Sequence, residues 1–321
     1  MMFDAMYLCS KERCSATKRM SAVFDRLSRL WEGPQQKEQL GQEPRSVREE
    51  NIVWIFGTGR SGSTWLGSMM ADIGACAMWN EPLVGKLFGN FYYSQVEDKA
   101  GKAGRHFILG EPYREIWLKA MRDLVLGEAT AGFPEVARKG YLVIKEPNGS
   151  RGAPLIMEAL PESRMIFLIR DPRDVVASSM DARSEGGWLR ERRDDQGRKA
   201  EKNPNAYVRM RAHTYVQQIQ KTRQAYEPHR RRKVLVRYEE LRKDTLGTMR
   251  CIYSALKLPV DDEELVRVVE KHAWENIPEE DKGAGKIRRK ATTGRWHEDL
   301  TSAQVRIVEN LTHEIIEEFY G

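Results

Sequence analysis

The chain has 321 residues, of which 40% are hydrophobic and 31% charged, and its formal net charge is +6. This length suits one large α/β domain or two small ones, and the composition is ordinary for a soluble globular protein, though on the charged side. The positive charge favours an anionic partner, such as a nucleotide, an acidic sugar, a nucleic acid or a membrane surface.

The cysteines and the apolar runs exclude several further classes of protein. The four cysteines, Cys9, Cys14, Cys76 and Cys251, lack the spacing of a zinc site or a disulfide framework. The apolar runs are too short to span a bilayer, and Met1–Ser10 has neither the basic start nor the apolar core of a signal peptide. We therefore expect a cytoplasmic protein in a reducing compartment, without a metal or an integral membrane segment.

Two regions are predicted along the chain. Residues 1–50 are expected to be peripheral, with a helix over Met20–Trp31 and a polar linker over Gly33–Glu50. The second region, residues 51–321, begins with the continuous apolar run Ile52–Phe56. Such a run is typical of a strand that is buried on both faces in a parallel sheet.

Strands and helices alternate along the second region. The further apolar runs of strand character are Tyr141–Ile144, Met165–Ile169 and Val234–Val236. Helical spacing is found over Arg114–Val125, Gly152–Ala159, Asp174–Met180, Ala206–Tyr226, Asp261–Trp274 and Ser302–Phe319. This alternation predicts a three-layer α/β fold with a central parallel sheet flanked by helices, like that of the P-loop-containing nucleotide hydrolases.

A glycine-rich segment, Phe56–Trp65, joins the first predicted strand to an amphipathic helix. The backbone N–H groups of such a turn converge on an anion, and the helix N-terminus adds its positive end. The spacing from Gly57 to Gly62 matches a Walker A loop, but the next residue is Ser63 instead of Lys. The positive charge that a Walker A loop places at this position is found instead at Arg60, which can reach the bridging oxygen of a bound donor. The absence of the Walker lysine argues against ATP hydrolysis.

A second anion site is predicted at the end of the strand Met165–Ile169. Arg170 follows at the carboxyl edge, where open α/β sheets bind ligands, and a guanidinium can bind a phosphate through two hydrogen bonds. Ser178, on the helix that follows, can turn its hydroxyl back towards the same place. In the alternative interpretation, Arg170 pairs with Asp174 and only structures the turn.

These two motifs resemble those of sulfotransferases that use 3′-phosphoadenosine 5′-phosphosulfate (PAPS). The stretch Arg60–Trp65 looks like the family's 5′-phosphosulfate loop, and Phe167–Ser178 is similar to its 3′-phosphate segment. Arg60 stands where the cytosolic branch usually has Lys, so the chain resembles more closely the carbohydrate and tyrosyl-protein branches. The resemblance implies transfer of a sulfonate group to an acceptor hydroxyl or amine, with 3′,5′-adenosine bisphosphate (PAP) as the second product. The donor-binding residues that it implies in the loop are Gly59, Arg60, Ser61, Gly62, Ser63, Thr64 and Trp65. Trp65 would stack on the adenine; in the alternative interpretation it is a core residue of the first helix.

Two later segments extend the resemblance. Val234–Leu241 is similar to a family strand that ends in Tyr-Glu-Glu, which implies that Tyr238 lies near the adenine; otherwise it is a surface tyrosine at a strand end. Arg289–Trp296 resembles the segment that closes over the 3′-phosphate, although a solvated basic loop is the alternative. The contributors implied there are the charges of Arg288, Arg289 and Lys290 and the backbone N–H of Ala291. Ala291 replaces a glycine of the cytosolic members, which makes its backbone contact less secure.

Two carboxylates are candidates to remove the acceptor's proton. The cytosolic branch uses a His after Lys-Thr, but the corresponding stretch Val143–Asn148 has none. Glu81 is the first choice, because it follows Arg60 by about the spacing between the loop Arg and the base Glu of the tyrosyl-protein branch. Glu146, which follows the predicted strand Tyr141–Ile144, is the second choice. Lys145 is a candidate to hold the leaving group or the transferred sulfonate.

Two other functions remain as alternatives. A P-loop kinase or nucleotide-binding protein would have a Walker Lys, which is absent, and a Walker B Asp, for which Asp171 is the only fair candidate. A nucleic-acid-binding or heparin-binding role is suggested by Arg183–Lys233, but this stretch also carries many acidic residues and few aromatic ones. The expected partner is therefore a small-molecule, sugar or lipid acceptor, and no nucleic acid.

Overall fold

The computed structural model describes residues 46–74, 76–96, 106–183, 202–283 and 292–321. The predicted helix Met20–Trp31 lies outside the described residues, and so do four of the implied donor-binding residues: Arg288, Arg289, Lys290 and Ala291.

The described chain is already packed before residue 51. Val47 and Glu49 are both buried. The carboxylate of Glu49 accepts a hydrogen bond from the backbone N–H of Glu162 and forms an ion pair with Arg122. These contacts fix the entry of the chain into the first strand.

Five parallel strands form the central sheet, in the order β2-β3-β1-β4-β5. The strands are β1 (Ile52–Gly57), β2 (Cys76–Asn80), β3 (Tyr141–Lys145), β4 (Arg164–Ile169) and β5 (Lys233–Arg237). Every residue of β1 and β4 is buried, as expected for apolar runs covered on both faces. The sequence did not indicate the edge strand β2, which is only partly buried.

Helices cover both faces of this sheet. Their bounds are α1 (Ser63–Ala71), α2 (Phe91–Val96), α3 (Arg114–Gly132), α4 (Pro134–Arg138), α5 (Ala153–Ala159), α6 (Pro172–Asp181), α7 (Pro204–Tyr226), α8 (Tyr238–Lys243), α9 (Thr245–Leu256), α10 (Asp262–Lys271), α11 (Trp296–Asp299) and α12 (Ser302–Tyr320). A π-helix, Lys86–Asn90, precedes α2. Within the described part of the chain, none of the helices combines the length and the apolar character needed to cross a membrane.

Alternate residues of β1 divide the core into two layers. Trp54 and Phe56 pack in the layer that contains α3 and α5, whereas Val53 and Ile55 pack in the layer that contains α1 and α9. The predicted three-layer α/β fold is therefore confirmed.

The helices that follow β1 and β4 lie on opposite faces of the sheet. The two strands are neighbours, with Phe56 beside Phe167. Helix α1 packs on the face of Val53, while α6 packs with Phe167 through Val175. Such a reversal is a topological switch point, and ligands of open α/β sheets bind there at the carboxyl ends of the strands.

Candidate donor-binding and transfer site

The loop after β1 has a backbone shaped to surround an anion. Arg60 and Gly62 have φ angles of 75° and 87°. Gly62 must lack a side chain, because a Cβ atom there would lie 2.5 Å from the ring of Tyr238. The Ser61 hydroxyl donates to a carbonyl of the same loop at 2.7 Å. No side chain caps α1, which starts at Ser63, so its first N–H groups can serve a ligand.

The structure brings this loop together with the segment after β4. Nη1 of Arg170 donates to the carbonyl of Arg60 at 3.1 Å, and Nε of Arg60 donates to the hydroxyl of Ser178 at 3.0 Å. The guanidinium of Arg170 also lies 4.3 Å from the ring centroid of Tyr238, which follows β5. Residues after three strands thus form one cradle, here called the donor cradle.

The donor cradle concentrates positive charge. Burial and the neighbouring Arg170 lower the pKa of Arg60 to about 10, although Asp181 acts in the opposite direction. Thr58 Oγ1 and Arg170 Nε are buried without a hydrogen-bond partner. Buried polar atoms are normally paired, so these atoms and the crowded cations fit a ligand with several anionic oxygens. In the described ranges, no group of three or more His, Cys, Asp or Glu side chains is placed to hold a metal ion.

Aromatic side chains line the cleft that leads away from Arg60. This cleft also includes Trp65, Trp274 and Ile277. Nε1 of Trp65 donates to the carbonyl of His272 at 3.1 Å, and the ring of Trp65 stands edge-on to Tyr238. This end of the cleft therefore offers aromatic surfaces that a purine ring can contact, and the guanidinium of Arg242 lies 5.2 Å from the ring centroid of Trp65.

A histidine does line the cleft, although none follows a strand near the loop. His272 comes directly after α10, and its Nε2 lies 2.6 Å from Asp72 Oδ2. His272 therefore lies at the Trp65 end of the cleft, whereas Arg60 contacts Ser178 elsewhere in the cleft. No signal in the sequence indicated His272, because it follows a helix from the opposite end of the chain.

Glu81 and Lys145 form a polar group at the other end of the loop. Nζ of Lys145 donates to Glu81 Oε1 at 2.8 Å and to Thr64 Oγ1 at 3.1 Å. The second oxygen of Glu81 accepts from Asn148 Nδ2 at 2.7 Å. Burial alone would raise the pKa of Glu81, but the hydrogen bonds from Lys145 and Asn148 outweigh it and hold that pKa below its ordinary value. Glu81 is therefore ionised at neutral pH.

Glu146 points away from this group. It is fully buried, and its carboxylate accepts from the backbone N–H groups of Leu83 at 2.9 Å and Gly85 at 3.3 Å. Burial raises the pKa of Glu146 to about 7. Within the turn that it binds, Glu81 and Leu83 adopt left-handed φ angles of 52° and 64°, which are strained for residues other than glycine. This placement favours Glu81 over Glu146 as the base. The hydrogen bonds of Glu146 instead stabilise the turn that contains Glu81 and Leu83.

The segment 292–296 closes over the start of α6. Nη2 of Arg170 donates to the carbonyl of Thr292 at 3.4 Å. Asp174 accepts from the backbone N–H groups of Gly294 at 2.9 Å and Trp296 at 3.3 Å, and lies 3.6 Å from Arg170 Nη2. The sequence anticipated the Arg170–Asp174 pair as an alternative to anion binding, and the structure shows this contact within the donor cradle.

One known protein family and several solved structures are similar to this chain. The model of the sulfotransferase family matches residues 53–262, whereas the comparison with curated protein sequences gives no match. A sulfotransferase of Mycobacterium avium is 15% identical, with 85% of this chain and 78% of that chain covered and a TM-score of 0.49. A mouse sulfotransferase complexed with PAP is 14% identical, with 85% and 86% covered and a TM-score of 0.49. The sulfotransferase domain of an olefin synthase from Synechococcus PCC 7002 is 17% identical, with 85% and 98% covered and a TM-score of 0.47. Since the family match spans well over half of the chain, including Arg60, Glu81 and Arg170, the chain belongs to the sulfotransferase family.

Proposed function

We propose that the protein transfers the sulfonate group of PAPS to a hydroxyl or amine of an acceptor. The observation that carries this proposal is the donor cradle, in which the loop after β1 touches Arg170 and Ser178. PAPS carries anionic groups on both its 3′ and 5′ sides, and two adjoining cationic positions match this distribution of charge.

Each part of the donor is assigned to residues that face the cleft. Gly59–Thr64 and the start of α1 would hold the 5′-phosphosulfate, and Arg170 with Ser178 would bind the 3′-phosphate. Trp65 and Tyr238 would flank the adenine. The contribution of Arg289, Lys290 and Ala291 stays a prediction from the sequence, supported by the contact of the next residue, Thr292, with Arg170.

The chemistry assigned to the site is an in-line displacement at sulfur. The acceptor oxygen or nitrogen forms a bond to sulfur while the bond from sulfur to the bridging oxygen breaks, and PAP leaves. Arg60 stabilises the charge that develops on the bridging oxygen, and Glu81 receives the acceptor's proton. Lys145 holds Glu81 ionised before the reaction and is within reach of Thr64 at the start of α1, so it can also stabilise the sulfonate oxygens.

The surface next to Glu81 favours an acceptor with an apolar part. Leu83, Leu87 and Phe91 are spaced four residues apart, and their exposed fractions are 38%, 62% and 49%. Gly85 lies on the inner side of this segment, where a Cβ atom would collide with the backbone of Gly149. Large apolar side chains thus face outward beside the proposed base, which is unusual for a surface without a partner. Among small-molecule, sugar and lipid acceptors, this arrangement favours lipid-like alcohols.

A transfer assay with labelled PAPS and a series of alcohols and sugars tests the proposal. We expect an acceptor that gains one sulfonate group, detected by mass spectrometry, together with release of PAP. The Arg60→Ala variant should lose transfer while it still binds PAP, because Arg60 acts mainly on the bridging oxygen.

Thermal shift measurements separate the alternatives. PAP should stabilise the protein, whereas ATP with Mg²⁺ and DNA should not. Stabilisation by ATP with Mg²⁺ but not by PAP would instead support the P-loop kinase alternative and would overturn the proposal.

A further inference from the structure

Arg211 is a partly buried cation on α7, and it forms no ion pair with any acidic side chain in the described part of the chain. Its Nε atom is buried and has no hydrogen bond. Burial lowers the pKa of Arg211, and the positive charge of Arg183 lowers it further. Withdrawing a guanidinium from water without an opposite charge is unfavourable, so its retention at this place needs an explanation.

The neighbours of Arg211 on α7 show which way it faces. Tyr207 and Tyr215 lie one turn before and one turn after Arg211, on the same side of the helix. The hydroxyl of Tyr207 donates to the carbonyl of Ser179 at 3.5 Å, and the hydroxyl of Tyr215 donates to the carbonyl of Arg170 at 2.7 Å. Arg211 therefore faces the stretch between these two carbonyls, which includes Ser178.

Arg60 reaches the same stretch of α6 from the loop after β1. The guanidinium of Arg60 donates to Ser178, and Arg211 is one of the positive charges that lower the pKa of Arg60. Arg60 thus has two cationic neighbours, Arg170 before α6 and Arg211 on α7. Asp181, at the end of α6, offsets only part of the repulsion on Arg60.

We propose that Arg211 is a further binding residue of the donor cradle, and that together with Ser178 it binds a tetrahedral oxyanion of the bound donor. The inference rests on the proposed function, because it assumes PAPS as the donor. An oxyanion placed among these cations would reduce the repulsion between them and give Arg211 an anionic partner, which it does not find among the described residues. PAPS offers two groups of this chemistry, the 3′-phosphate and the transferred sulfonate.

The Arg211→Gln variant tests the inference, with Arg209→Gln as the matched control. Arg209 lies on the same helix but is exposed, so both variants lose one positive charge from α7. Calorimetry would give the Kd values for AMP, PAP and PAPS, and denaturation would give the Tm of each protein without ligand. Arg211→Gln should keep or raise this Tm, because it removes an unpaired buried charge, and should weaken donor binding by roughly ten- to hundredfold.

The three nucleotides distinguish the two oxyanions. Weaker binding of PAP and PAPS with an unchanged Kd for AMP assigns Arg211 to the 3′-phosphate. Weaker binding of PAPS alone assigns it to the sulfonate. Three outcomes overturn the inference: unchanged Kd values in Arg211→Gln, equal weakening in Arg209→Gln, or a lower Tm with all three nucleotides weakened equally, which would indicate a packing role. If the unaltered protein binds neither PAP nor PAPS, the proposed function itself fails.

Discussion

The buried carboxyl group of Glu146 predicts an unusual dependence of stability on pH. Burial raises its pKa from 4.5 to about 7, so the folded protein keeps a proton that the unfolded chain has already lost. Stability from this group is greatest below about pH 4.5, declines as the pH rises towards 7 and stays low above that. Since one pKa unit corresponds to about 1.36 kcal/mol, the free energy of unfolding should fall by roughly 3 kcal/mol.

The substitution Glu146→Gln isolates this effect. Gln keeps one oxygen to accept from Leu83 or Gly85 but places an NH₂ group opposite the other N–H. The unpaired N–H costs about 1–3 kcal/mol at every pH, since Gln does not titrate. The unaltered protein should therefore lose about 3 kcal/mol relative to the variant between pH 4.5 and pH 7.5.

Urea denaturation followed by circular dichroism at both pH values measures this difference. Glu128→Gln, which removes an exposed carboxylate from α3, is the matched control and should change with pH by less than about 0.5 kcal/mol. A free-energy difference between the unaltered protein and Glu146→Gln that stays constant across this range would refute the reasoning. It would mean that the backbone N–H groups of the turn keep Glu146 ionised despite its burial.

Four further predictions concern the site. Glu81→Gln should lower kcat by roughly 10²–10⁴-fold without changing the Kd for PAP, and full activity would point to another base. The pKa of Glu81 is held below its ordinary value, so ionised Glu81 stabilises the fold above about pH 4.5, and this stabilisation is lost as the pH falls. The free energy of unfolding, measured by urea denaturation, should therefore fall less in acid for Glu81→Gln than for the unaltered protein. Arg170→Ala should weaken PAP binding by roughly tenfold or more in calorimetry but change AMP binding little, and an equal effect on both would contradict its assignment to the 3′-phosphate. Gly62→Ala should cost about 1–3 kcal/mol in urea denaturation, because its φ of 87° and the ring of Tyr238 exclude a methyl group, and unchanged stability would show that the loop adopts another shape.

The sequence predicted the elements whose pattern is local. The runs that became β1, β3, β4 and β5 are continuous and apolar, and burial on both faces of a parallel sheet requires that pattern. Thr301 and Gln304 form a capping box at the start of α12, a motif that depends only on residues three positions apart. The loop around Arg60 was recognised because its glycines and the following helix are adjacent in sequence.

Features that depend on distant contacts were missed. The strand β2 was not predicted, since an edge strand that is half-exposed needs no continuous apolar run. Glu81 and Glu146 could not be separated, because only the folded backbone shows that one carboxylate meets Lys145 and the other meets two N–H groups. Arg211 was not singled out within the charged stretch Arg183–Lys233, and its burial follows from the packing of α7 against α6.

The switch between β1 and β4 places the supports of the two anion-binding segments in different parts of the core. Helix α1 is anchored by Leu66 and Met69 on one face of the sheet, whereas α6 is anchored by Val175 on the other. A cavity made in one layer would loosen one segment and leave the opposite one in place. The affinity for each half of the nucleotide can therefore be changed separately, by substitutions in the apolar core that do not contact the ligand.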